Sequence, residues 1–139
     1  MEENLREDLV RSLEEIYQLP AFGALADLLQ GEALVLQYLE GHRDGPVCPS
    51  VLSGQLHLSR SRITGALASL HRKELVRMEP SADDRRRTEV FITPAGSRRI
   101  AEQISRMLAY FDRMIAGLGP EDTRRLIALM DRCVGIMGE

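Results

Sequence analysis

The chain has no tryptophan, and only 4% of its 139 residues are aromatic. Aliphatic side chains must therefore fill any core it forms. Cysteine is as scarce: Cys48 and Cys133 stand far apart with no CxxC pair, which excludes a disulfide framework and a zinc ribbon and leaves reduced thiols as the expectation. No apolar run approaches the roughly 18 residues that cross a bilayer. The acidic start Met1-Glu2-Glu3 lacks the basic region of a signal peptide, so a cytoplasmic protein with no membrane partner is expected. There is no GxGxxG, P-loop, HExxH or Ser/His/Asp arrangement, so no catalytic residue, cofactor or metal site is assigned and the chain is not read as an enzyme.

What is present is an ordinary globular composition, 44% hydrophobic and 28% charged, at a length that fits one domain. The net charge of −3 is unevenly spread. Between His42 and Arg99 there are 11 Lys and Arg against 6 Asp and Glu, leaving 7 against 15 elsewhere. A basic middle between acidic ends suits a chain whose middle meets a phosphate backbone.

Helical periodicity is clear in several stretches. Leu5, Leu9, Leu13 and Ile16 mark a first helix over about Glu2 to Gln18; Ala24 to Gln30 and Glu32 to His42 read as two more, the latter with Leu36 and Leu39 inward. Pro49 to Leu56 makes a short helix, with Cys48 or its neighbour at the cap and proline in the first turn, where it costs no hydrogen bond. Ser59 caps a helix reaching Lys73 with Ile63, Ala66, Leu67 and Leu70 as its apolar stripe. The period then changes to that of strands, Leu75 to Glu79 and Thr88 to Thr93, around a charged tip that ends in Arg85-Arg86-Arg87. Thr93-Pro94 opens a long helix to about Ala116, ended by Gly117 and Gly119-Pro120. A last helix, Glu121 to Met137, is expected to bury Leu126, Leu129 or Met130, Cys133 and Met137.

Two short helices and a hairpin in this order make a winged helix-turn-helix, whose second helix fits the roughly 12 Å wide major groove while the hairpin reaches aside. With Ile63 inward, Ser61, Gly65, Ala68 and Arg72 point outward and Arg62, Thr64 and Ser69 flank them. The face is small, polar and basic, with no carboxylate before Glu74. Candidate DNA-binding residues are therefore Ser59, Arg60, Ser61, Arg62, Thr64, Gly65, Ser69 and Arg72 on the helix and Arg85, Arg86 and Arg87 on the hairpin.

Two runs are more specific than the helix pattern: Leu58-Ser59-Arg60-Ser61-Arg62-Ile63-Thr64 through Leu75-Val76, and Asp84-Arg85-Arg86-Arg87-Thr88-Glu89-Val90-Phe91-Ile92-Thr93-Pro94-Ala95-Gly96. The second resembles the wing signature of the MarR (multiple antibiotic resistance regulator) family. The resemblance covers nearly the whole chain. It implies a mainly α fold with a small two- to three-stranded β wing. In it, residues 1–139 form a single domain, with 1–30 and 94–139 as dimerisation helices and 31–93 as the DNA-binding lobe. It also implies a homodimeric transcription regulator, a repressor on a palindromic double-stranded operator, released by a small-molecule effector, with Asp84 orienting a wing arginine rather than touching DNA.

His57 and Glu74 stand where the family often has glycine, and both positions call for positive φ or a tight C-cap. Gly65 stands where many relatives place a longer side chain. Alternatives stay open on the residues: a winged module that binds protein instead of DNA, a metal sensor using His42, Cys48 and His57, or a redox switch at Cys48. Against the first, Ser59 to Ser69 offers no large apolar anchor on its outer face.

Overall fold

A computed structural model describes residues 2–138. The chain runs α1 (Glu2–Tyr17), α2 (Pro20–Leu28), α3 (Gly31–Gly41), α4 (Pro49–Leu56), α5 (Arg60–Arg72), β1 (Val76–Pro80), β2 (Thr88–Ile92), α6 (Pro94–Leu118) and α7 (Pro120–Met137). It is mainly helical with one small antiparallel sheet, as expected.

Among the described residues, every buried apolar side chain lies between Leu28 and Ile100. Val35 and Leu39 of α3 and Leu52 of α4 pack against Ile63, Leu67 and Leu70 of α5, and the wing closes this core with Val76 and Val90. Strand alternation explains the last two: β1 places Val76 opposite Ile92 and Arg77 opposite Phe91, so one face goes inward and the other to solvent. The Val90 amide also donates to the Val47 carbonyl at 2.8 Å, adding a single bridge from the loop before α4 to the edge of the sheet.

Local chemistry sets the element ends. Pro49 starts α4 after an extended Cys48, and Pro20 starts α2 after an extended Leu19. The latter makes α2 begin earlier than the apolar pattern from Ala24 suggests. α4 ends in a left-handed His57 (φ 54°), where the Leu58 amide donates to the Ser53 carbonyl at 3.3 Å. α5 ends likewise, with Glu74 at φ 62° and the Leu75 amide donating to the Leu70 carbonyl at 2.9 Å. Both positions at which positive φ or a tight C-cap is expected therefore adopt positive φ.

Thr93 joins wing to helix. Its hydroxyl donates to the Glu74 carbonyl at 2.8 Å and accepts from the Gly96 amide at 3.0 Å, capping α6. Gly96 is required there, since an added Cβ would collide with the Leu75 carbonyl oxygen and stand 2.8 Å from Ile92 Cγ1. Gly117 does not end α6; the helix continues to Leu118 and stops at Gly119, whose φ is 84°. The lobe is further tied to α6 through Glu40 at the end of α3, which accepts from the Ser97 hydroxyl and from Arg43 Nη1. Phe22 of α2 meets Phe111 edge to face, with ring centroids 5.6 Å apart.

The last helix differs from expectation. Leu126 is half-buried, but Leu129, Met130, Cys133 and Met137 are exposed, so Cys133 is not a core residue of this chain. The reason is geometric: among the described residues α7 packs mainly along α6, and α1 mainly on α2, so neither finds a second wall of comparable extent. Leu9 is 59% exposed, Val134 69% and Ile136 72%. Among the described residues, no helix is long and apolar enough to cross a membrane.

Candidate nucleic-acid interface

The candidate surface begins at the turn between α4 and α5. Ser59 is extended, and its hydroxyl accepts from the Arg62 amide at 3.1 Å, which satisfies one of the free donors of the first turn and fixes where α5 begins. Arg60, Ser61, Arg62, Thr64, Gly65, Ala68 and Arg72 are all exposed. The buried residues of the helix, Ile63, Leu67 and Leu70, hold the opposite face against α3 and α4. The Thr64 hydroxyl donates to the Arg60 carbonyl at 2.8 Å, leaving it only acceptor capacity toward a ligand. Nothing lies within 4 Å of a Cβ built at Gly65, so the middle of the face is flat.

Ser69 behaves differently from its neighbours. It is half-buried and lies within reach of Glu32, which sits in the first turn of α3. The same carboxylate accepts from Lys73 Nζ at 2.7 Å. Burial pushes the Glu32 carboxyl up, but the hydrogen bonds from Lys73 and Ser69 and the charges of Lys73 and Arg72 outweigh that and hold its pKa below the usual value. Sequence reasoning does not find Glu32, because its partner lies 41 residues along the chain. It also passes over Ser50, exposed in the first turn of α4, which lines a shallow groove with Pro49, Arg60, Ile63 and Thr64.

The wing tip is a braced turn. The Ser81 amide donates to the Arg87 carbonyl and the Arg87 amide to the Asp84 carbonyl, each at 2.9 Å. Asp84 Oδ1 accepts from the Arg86 amide at 3.0 Å and lies 3.5 Å from Arg86 Nε. The Arg86 side chain is nevertheless 94% exposed, and Arg85 and Arg87 are exposed beside it. Arg77 is held away from the tip: its guanidinium lies 4.6 Å from the Phe91 ring centroid and 3.5 Å from Glu79.

Among the described residues, no three His, Cys, Asp or Glu side chains gather where a metal ion could sit. His42 stacks on Tyr38, with centroids 4.0 Å apart, and its Nδ1 donates to the Tyr38 carbonyl at 2.8 Å. Cys48 is half-buried at the N-cap of α4, and its side chain makes no cap hydrogen bond. The structure thus brings α5 and an arginine-bearing hairpin onto one lobe and leaves the cysteines and histidines dispersed.

Residues 26–87 match the model of the MarR family. Among solved structures, YusO from Bacillus subtilis is 19% identical over 96% of both chains, with a TM-score of 0.77. A MepR mutant from S. aureus bound to an oligodeoxyribonucleotide is 19% identical over 95% of this chain and 97% of its own, at 0.67. The heme sensor PefR from Streptococcus agalactiae, in complex with heme, is 23% identical over 99% and 95%, at 0.64. No curated protein sequence matches the chain. At these identities the structural likeness carries the fold, and it extends beyond the matched segment to nearly the full length. Residues 26–87 are therefore similar to the MarR family model, in a chain whose overall fold is shared with those structures.

Proposed function

We propose that the protein is a homodimeric transcription regulator of the cytoplasm that binds a palindromic double-stranded DNA operator, represses transcription there, and is released by a small molecule. The observation that carries this reading is the pairing, on one lobe, of an exposed small, polar and basic face on α5 with three exposed arginines at the wing tip. A helix of this width enters the major groove, and an arginine on a neighbouring hairpin reaches the adjacent minor groove, whose negative potential is strongest where A·T pairs narrow it. The MepR structure with an oligodeoxyribonucleotide supports DNA as the partner. The effector is supported by an open groove of about 600 Å³ along α6, floored by Ile100, Ile104 and Leu108 and edged by Glu40 and Asp112, and by the heme held by PefR.

The test is to select DNA from fragments of the protein's own genome and measure binding by anisotropy. Arg62→Ala should weaken binding by about 1–3 kcal/mol and relax base choice at one segment of each half-site. Arg86→Ala should weaken it by a similar amount, lower the salt dependence and remove a preference for flanking A·T pairs, with the melting temperature unchanged. Asp84→Ala should cost less than Arg86→Ala, because Asp84 only holds the arginine. Equal losses that do not add would make the pair structural. Selection of no DNA, together with capture of a protein on α5, would favour the protein-binding module instead.

A further inference from the structure

The DNA-facing helix ends at a carboxylate that its own sequence does not contain. Glu32, in the first turn of α3, accepts from Lys73 Nζ at 2.7 Å. Lys73 is the C-cap of α5 and Arg72 its last residue, so these two are the cations nearest the place where a recognition helix leaves the groove and passes the phosphate backbone. Lys73 stays half-exposed while paired, and the pair is open to solvent and salt. It can exchange a carboxylate for a phosphate without burying anything.

We propose that Glu32 limits the sequence-independent grip of the DNA interface, holding Lys73 so that the C-terminal end of α5 binds phosphate less strongly. This rests on the DNA-binding reading above. A phosphate contact adds equally to correct and incorrect DNA, so it raises affinity without discrimination. A carboxylate that competes for the same ammonium lowers both. Correct DNA, however, is also held by base-edge contacts from the first turns of α5, where Arg60, Ser61 and Arg62 are free of carboxylate partners among the described residues. Random DNA has only the phosphates, and a neighbouring negative charge also repels them. A purely structural strut between α3 and α5 would have no need of a half-exposed ion pair, since Val35, Leu39, Ile63 and Leu70 already pack the two helices together.

The experiment compares native protein, Glu32→Gln, Lys73→Met and the double variant on two probes: a random-sequence 30-base-pair duplex and the duplex recovered by genomic selection. Affinity is read between about 50 and 200 mM salt. Glu32→Gln keeps the shape and a weak acceptor, so the fold should hold. It is expected to steepen the salt slope on the random duplex by about one phosphate, which is roughly a 3- to 4-fold larger change across that range. It should also raise affinity for both duplexes by a similar factor of several-fold, because the contact it frees is made to phosphate alone. In the Lys73→Met background the same substitution should change the slope by less than half as much. A slope and affinities equal to native in Glu32→Gln, or an equal effect with and without Lys73, overturns the inference while leaving DNA binding intact. A lower melting temperature with loss of affinity on both probes makes Glu32 a strut and overturns it as well. Failure of the native protein to bind either duplex would instead sink the DNA-binding reading, and this inference with it.

Discussion

At the scale of the residue, two side chains stand in left-handed conformations that a Cβ disfavours. His57 and Glu74 close α4 and α5 at φ 54° and 62°, where glycine avoids the steric penalty. Neither position is dispensable, because the Leu58 and Leu75 amides that follow them satisfy carbonyls of the preceding helices. Glu74→Gly is therefore expected to stabilise the fold by up to about 1 kcal/mol, the relief of strain being partly offset by the greater freedom of the unfolded chain. Urea unfolding measures this; a loss of stability would show that the glutamate side chain contributes more than its backbone costs. The substitution also removes a negative charge beside the C-terminal end of α5. Any change in DNA affinity should be compared with Glu32→Gln before it is assigned to the turn.

At the scale of the element, the wing and α6 are joined by the closest packing in the lobe. The first turn of α6 lies directly on the Leu75 carbonyl, and Gly96 has room for hydrogen only. Gly96→Ala should destabilise the protein by about 1–3 kcal/mol through overpacking, despite alanine's better helix propensity. Thermal unfolding read by circular dichroism tests it, and an unchanged or raised midpoint would mean that α6 can shift off the wing at little cost. The elements themselves were largely legible because their signals are local. Ser59 as a cap, Pro49 and Pro94 in first turns and the Ile63–Leu67–Leu70 stripe can each be read from windows of a few residues, whereas the positive φ at His57 and Glu74 is expected only from the family resemblance. What escaped depends on distant neighbours. Glu32 looks like a solvated charge until α3 is laid beside Lys73, and Ser69 looks outward until the same contact turns it in. Cys133 and Met137 sit on an apolar stripe, but a stripe says only that a face is greasy, not which chain covers it.

At the scale of the whole molecule, the buried core stops at Ile100 while apolar side chains continue along α6 and α7 and over α1. Such large contiguous apolar faces are unusual on a monomer and are what an isologous interface covers. The expected state is a dimer at micromolar concentration by sedimentation velocity. Val134→Glu combined with Leu9→Glu should shift it toward monomer while the lobe retains its unfolding transition; a native monomer would refute the assembly. The same architecture has a mechanical side. α6 contains 25 residues, so it is a rod of about 37 Å. Its first turn is keyed into the wing by Gly96 and Thr93, and its far end lies among the apolar helices. Tilting such a rod by about 10° carries one end roughly 6 Å relative to the other, half the width of the major groove. In a two-fold pair, the separation of the two reading heads would then be set as by the arms of a divider, and a small change in angle at the hinge would take both points off the scale they are meant to measure.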